Sequence, residues 1–407
     1  WRSSIWFTVL ACGFTLFTDT FLYSMAVPIL PFALTQKIHI PEQNVQTWIS
    51  ILLAVHGAGI AVVSPICAWW ADNSATRKLP YLFGLLGLSS ATVLLALSSS
   101  ITMLVLGRLL QGLSGAVAWT LPLAIVTDRV TVDQVGPYLG YMTIGRSIGM
   151  STGPLVGSLV FSYGGYLQAY IPAFVVLGVD MILRLTLTTR SQQVAHSQVC
   201  QARASQTLNL LTSRRMWAAI WGSFQSAFIC GALDSVLPLF VLHTYGWSSM
   251  QAGGSFVALM GPSMISPMIG KLVPRLGVRV SAVWGYLGSA VTLGCLALVR
   301  KDTVAHKTSF VIVLILCGCS MVFFEIAAWI DAVTAAQTKA ENQPHYIYPG
   351  GAIAQVYGLT NVLFALGFVA GPLGAGLMYR QCGWTATVLL LASITFTSAI
   401  PTILWLE

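Results

Sequence analysis

The chain has 407 residues, of which 56% are hydrophobic and only 8% charged, and its formal charge is +8. Soluble globular domains carry about 25% charged residues, so this composition excludes a soluble enzyme or nucleic-acid-binding domain and specifies a polytopic membrane protein. The positive balance is expected on a cytosolic membrane face.

A spanning helix needs about 20 apolar residues. Twelve such runs follow in chain order, at 6–33, 46–70, 80–99, 101–127, 136–162, 167–189, 216–243, 250–273, 279–299, 308–334, 351–379 and 383–405. The chain opens on Trp1 with no cleavable signal pattern before the first run, so a native N-terminus is expected further upstream. Between the sixth and seventh runs lies the most polar stretch, RSQQVAHSQVCQARASQTLNLLTSRR (190–215). The expected organisation is a bundle over 1–189, a linker over 190–215 and a second bundle over 216–407. With the N-terminus inside, twelve Lys and Arg fall in inside segments and five in outside segments. That asymmetry predicts cytosolic termini and a cytosolic linker, with RKDTVAHK (300–307) running against it. Cys12, Cys67, Cys230, Cys295, Cys317 and Cys319 lie inside apolar runs and read as packing thiols.

The halves repeat. GMSTGPLVGSLVFSYGGY (149–166) in the fifth run parallels GFVAGPLGAGLMYRQCGW (367–384) in the eleventh, each with Gly-xxx-Gly-Pro and a Gly-aromatic pair twelve residues on. The polar stretches after the second and eighth runs, AWWADNSATR (68–77) and GKLVPRLGVR (270–279), also match in length and place. Such duplication predicts an all-α protein of two similar six-helix bundles related by an axis along the membrane normal, with a site between them near mid-membrane.

Charges inside the spans are costly and tend to be functional. Asp19 stands in FTLFTDTFLYSMAVPILPFAL (14–34), with no basic residue one turn away; Thr15 and Tyr23 could donate hydrogen bonds but cannot neutralise it. Loss of hydration penalises its ionised form, which makes it a candidate for proton exchange. Asp180 and Arg184 are four apart and can neutralise each other. Asp234 lies in the seventh span, and Glu325 and Asp331 compete for one role in the tenth. Arg108, Arg146 and His56 join these charged and titratable groups within spans. Arg146 has Met142 and Met150 one turn to either side, so its counter-charge must come from another helix or from a ligand.

These features together resemble the major facilitator superfamily, and within it the twelve-span drug:proton antiporters. ADNSATR (71–77) is similar to the family's loop motif, with Ala68 and Ala75 at positions usually held by Gly. LGRLLQGLSG (106–115), around Arg108, resembles the fourth-span motif, and GMSTGPLVG, with Gly149, Gly153, Pro154 and Gly157, the antiporter motif. DTFLYSMAVPILP (19–31), ALDSVLP (232–238) and VYGLTNVLFALGFVAGP (356–372) resemble the vesicular amine transporters, and GGAIAQVYGLTN (350–361) their fungal relatives.

The resemblance implies that Asp19 and Asp234 engage substrate and protons, and that Asp72, Arg77 and Asp128 form a conformational latch. It also implies an aromatic cavity wall of Tyr23, Phe256, Phe364 and Phe368. Three positions depart from the amine transporters: Asn361 replaces an acid, His56 a lysine, and Arg146 an apolar residue. One reading of Arg146 is an inter-helix ion pair; the other has it receive, with protonated His56, an anionic or zwitterionic cargo.

The expected protein is therefore a proton-coupled antiporter, not an enzyme. It would work as a monomer in the plasma membrane or a vacuolar or vesicular membrane, export or sequester a small organic molecule, and need no cofactor or metal beyond the proton gradient. Its alternative is an organic-anion or metabolite carrier. A membrane receptor or enzyme is the least favoured reading.

Overall fold

The computed structural model describes residues 4–73, 77–127, 129–130, 132–188, 213–342 and 349–405. Twelve long helices order these residues: α1 (Ile5–Lys37), α2 (Glu42–Asn73), α3 (Lys78–Ala96), α4 (Ile101–Thr127), α5 (Val132–Gly164), α6 (Ile171–Thr186), α7 (Arg214–Tyr245), α8 (Ser249–Leu276), α9 (Val278–Leu296) and α10 (Val304–Asn342), followed by α11 (349–382) and α12 (384–405), one helical stretch broken at Gly383. No strand is present among the described residues. Among the described residues, nine stretches are long and apolar enough to cross a membrane, one of them holding both α11 and α12. Helices α5 and α9 fall short because Arg146, Arg279 and several Gly, Ser and Thr dilute them.

Prolines tune the helices. Pro28 has no amide hydrogen to donate, and α1 tightens to a 3₁₀ turn at Val27–Ile29. Pro262 accompanies a 3₁₀ break of the same kind in α8 at Gly261–Ile265. Both helices resume beyond these breaks.

Two six-helix bundles result. In the first, α1 packs on α5, and α4 on both α2 and α3; in the second, α7 packs on α11 and α9 on α10. The repeated glycines make close approaches within these contacts. A Cβ on Gly149 or Gly153 would collide with the carbonyl of Phe17 or Phe21 on α1, and one on Gly367 or Gly371 with that of Phe224 or Phe228 on α7. The Gly-aromatic pairs have equivalent jobs too. Gly165 (φ 81°) and Gly383 (φ 78°) both take left-handed values that other residues resist, and each ends a helix of its repeat.

Across the bundles α2 faces α11 and α5 faces α8. Towards the face where α1 ends and α2 begins, the bundles are sealed by hydroxyls and an amide. Gln46 Nε2 donates to Ser235 Oγ (2.9 Å) and Ser235 O (3.1 Å), the Ser50 and Ser235 hydroxyls lie 2.9 Å apart, and those of Ser162 and Ser249 3.0 Å. Towards the opposite, terminal face, where α1 begins and α12 ends, the bundles part around a cavity. Of the expected linker, residues 190–212 lie outside the described residues, as do Asp128 and the side chain of Asp72 from the expected latch; Arg77 is buried.

Candidate functional site

Asp19 sits midway along α1 and is 2% exposed. Its Oδ2 accepts a hydrogen bond from Trp119 Nε1 on α4 at 3.0 Å, and its Oδ1 has no hydrogen-bond partner among the described residues. The two hydroxyls that the sequence offered as donors are engaged elsewhere. Thr15 donates to Asp180 (3.0 Å), and Tyr23 donates across the bundle interface to Asp234 on α7 (2.8 Å). Placing both hydroxyls on Asp19 is thus corrected: these partners draw them away.

Arg146 finds its counter-charge on the other bundle. Its Nη1 lies 2.7 Å from Glu325 Oε1 on α10. The guanidinium is also 5.4 Å from the ring centroids of both Trp119 and Phe364, a geometry in which each aromatic face attracts the cation. Of the two sequence readings of Arg146, the inter-helix ion pair is the one formed here.

The remaining charges also find partners. Arg184 Nη2 and Nε hold Asp180 Oδ2 at 2.7 and 3.0 Å in full burial. Arg215 holds Asp331 at 2.7 Å, away from the cavity. Glu325 and Asp331 are thereby separated, with Glu325 lining the cavity and Asp331 packed under α7. Arg108, fully buried, donates to Gln111 Oε1 at 2.9 Å and lies 5.8 Å from the Tyr23 ring, on which His56 stacks at 4.7 Å. A ladder Arg108–Tyr23–Asp234 therefore links α4, α1 and α7.

The cavity, about 770 Å³, runs from mid-helix toward the terminal face. Its walls reach Pro137 and Gly140 on α5, Lys271 on α8 and Thr334 on α10. Its inner end narrows to a recess lined by Asp19, Tyr23, His56, Arg146, Asn361 and Phe364, with Phe368 closing it against Tyr23 at 5.5 Å. Phe256 is excluded from that wall. It is 1% exposed and packs within the hydrophobic core, because its position on α8 turns it away from the opening. Asp234 lies just behind the recess under the Tyr23 hydroxyl. The antiporter-motif residues Gly149 and Gly153 line the α1 seam instead of the recess.

Trp119 was missed in the sequence, and so were Met150 and Cys230, which also line the cavity. Trp119 had one available signal: it lies eleven residues, about three turns, after Arg108 and so shares its helix face.

Arranged this way, the site can hold an organic molecule between aromatic rings, with an uncompensated carboxylate at its inner end and an ion pair crossing the two bundles. A relative from Schizosaccharomyces pombe, an MFS-type transporter, is 30% identical over 427 residues, covering 98% of this chain and 95% of its own length. An MFS-type transporter of Metarhizium majus is 27% identical, over 96% of this chain and 97% of its own. The class B tetracycline resistance protein of Escherichia coli is 23% identical, with 93% of each chain covered. The human organic anion transporter MFSD10 shares the fold at a TM-score of 0.72 and 16% identity, over 98% of this chain and 99% of its own. The nucleoside transporter NupG does so at 0.70 and 15%, over 98% of this chain and 100% of its own. The profile of the Major Facilitator Superfamily matches residues 12–343; the chain belongs to that family of membrane transporters, which are not enzymes.

Proposed function

We propose that this transporter is a proton-coupled antiporter that moves a small organic molecule out of the cytosol by alternating access. The observation that carries the proposal is Asp19: a buried carboxylate, facing the inner end of an aromatic recess, with one oxygen unpartnered among the described residues and no basic group within ion-pair distance. A buried charge without a counter-charge is strongly disfavoured, so Asp19 exchanges a proton for a positively charged or hydrogen-bond-donating group of the cargo. Binding of one then opposes binding of the other, which is the thermodynamic content of antiport. Asp234 is the second proton carrier, reached through Tyr23. The likeness to tetracycline resistance proteins supports export of a drug-like molecule.

The Lys and Arg distribution supports cytosolic termini, so the cavity of this conformation opens to the cytosol. The alternative, an organic-anion carrier, requires Arg146 to exchange Glu325 for a cargo carboxylate.

The test is pH-gradient-driven uptake into proteoliposomes across cationic, neutral and anionic compounds. Asp19→Asn is expected to abolish accumulation while leaving exchange of substrate across the membrane, because the amide mimics the protonated acid. Accumulation at the wild-type level by both Asp19→Asn and Asp234→Asn refutes the coupling role. Uptake confined to anionic compounds, and lost in Arg146→Leu, favours the anion carrier.

A further inference from the structure

The charges around the cavity do not cancel, and the remainder is one. Three carboxylates face or adjoin it: Asp19, Asp234 and Glu325. Two guanidiniums oppose them, Arg146 in contact with Glu325 and Arg108 beside the ring of the tyrosine that holds Asp234. Lys271 also lines the cavity, but it is exposed toward the terminal face, where water and salt screen it from the buried acids, and it does not enter the count. The other buried acids near this layer are already neutralised, Asp180 by Arg184 and Asp331 by Arg215. His56 shares the Tyr23 ring with Arg108, where a second cation would have no counter-charge, so it contributes as the neutral imidazole. Cys230, on the cavity wall, is a neutral thiol. One negative charge is left over, and it sits on Asp19.

We propose that Arg146 sets the valence of this cavity: by cancelling Glu325 it leaves a single uncompensated carboxylate, so the cavity takes one positive charge, either a proton or the charged group of a monocationic organic molecule. The inference rests on the antiport reading of Asp19 and adds what decides how many charges are exchanged. Arg146 is suited to the task because a guanidinium stays charged at any pH the protein meets and because Trp119 and Phe364 hold it from two sides. Its removal would leave two acids, Asp19 and Glu325, to be neutralised together.

The groups that face these acids are few. Asp19 is approached by Trp119 from α4 and, in the recess, by His56 from α2, Arg146 from α5 and Asn361 from α11; the Asp180–Arg184 pair stands one turn away, bound to Thr15. Glu325 is approached by Arg146 and shares the cavity wall with Cys230. None of His56, Trp119 and Asn361 carries a permanent positive charge.

The experiment measures binding of two probes to the detergent-solubilised full-length protein, tetraphenylphosphonium as monocation and methyl viologen as dication, with proton release followed in weak buffer. Wild type is expected to prefer the monocation and to release about one proton with either probe. Arg146→Gln is expected to shift the affinity ratio toward the dication by about tenfold or more, and to release about two protons with it. The double variant Arg146→Gln/Glu325→Gln restores a remainder of one and is expected to return both quantities to the wild-type pattern, which a purely structural pair would not produce. The proposal is overturned if either variant, folded, keeps the wild-type ratio and proton count in Arg146→Gln or fails to restore them in the double variant, or if wild type binds neither cation. Failure of pH-driven accumulation alongside the expected proton counts would instead sink the coupling reading and leave the valence assignment standing.

Discussion

The two bundles share a scaffold and differ in what they hang on it. Counted from the repeated glycines, Arg146 stands three residues before Gly149, and Phe364 three before Gly367. The pseudo-twofold relation thus brings a cation and an aromatic ring to equivalent places, and the two are in contact at 5.4 Å. Asp19, two residues before Phe21, has Ser226, two before Phe228, as its counterpart. Duplication has kept the backbone seams, where any side chain would clash, and let the cavity positions diverge, because there the neighbours are space and cargo. Packing constraints are symmetric in this molecule; chemistry is not.

Three sets of substitutions probe that contrast, in falling order of effect. The largest concerns the structural ion pairs. Arg184→Leu leaves Asp180 charged and fully buried, which costs about 3–5 kcal/mol, and the purified variant is expected to be poorly folded. Arg215→Leu breaks an ion pair of the second bundle, and the arginine side chain there is 22% exposed. It is expected to cost less: Asp331 is as buried as Asp180, but water that already reaches the guanidinium can hydrate the acid once that side chain is gone. Equal losses in thermal denaturation would show that the two pairs do not differ in burial as described.

Next come the seams. Gly149→Val and Gly367→Val each push a branched side chain into the backbone of the partner helix; overpacking of this kind costs about 1–3 kcal/mol. The two are expected to lower the melting temperature by similar amounts. A large loss in one with none in the other would break the equivalence of the seams.

The smallest effect belongs to the seal between bundles. Ser50→Ala removes the hydroxyl pair with Ser235, worth about 1 kcal/mol. Since that pair exists only while this face is closed, the variant is expected to favour the opposite opening, read as faster thiol labelling of a cysteine placed at Gln46. Unchanged labelling would remove Ser50 from the seal.

Much of the architecture was legible in the sequence, since a 20-residue apolar run and a glycine that must touch backbone leave local marks. So did Asp19, because a lone acid in an apolar run is conspicuous. The pairings across the bundles were not. Arg146 and Glu325 are 179 residues apart, and nothing local in either helix names the other. Glu325 and Asp331 are six residues apart, which turns them about 240° from one another on a helix. The sequence could say they face different ways, yet only the neighbours of α10 decide which way is the cavity. The same applies to Phe256, which its neighbours bury in the core. Trp119 went unnoticed because an aromatic residue in a span is ordinary until a carboxylate is found beside its indole nitrogen.

The glycine seam between α1 and α5 has a kinematic consequence. Gly145, Gly149, Gly153 and Gly157 bring the two backbones into contact over four successive turns, so these helices cannot slide or part without losing the whole row. Asp19 rides on one and Arg146 on the other, and their spacing is therefore fixed by the frame. Glu325 rides on α10, in the other frame. Any rocking of one bundle against the other keeps the first distance constant and changes the second, so in the alternating-access cycle proposed above the 2.7 Å contact between Arg146 and Glu325 would work as a ruler. A spectroscopic pair spanning α5 and α10 would report every turnover, whereas one spanning α1 and α5 would stay silent.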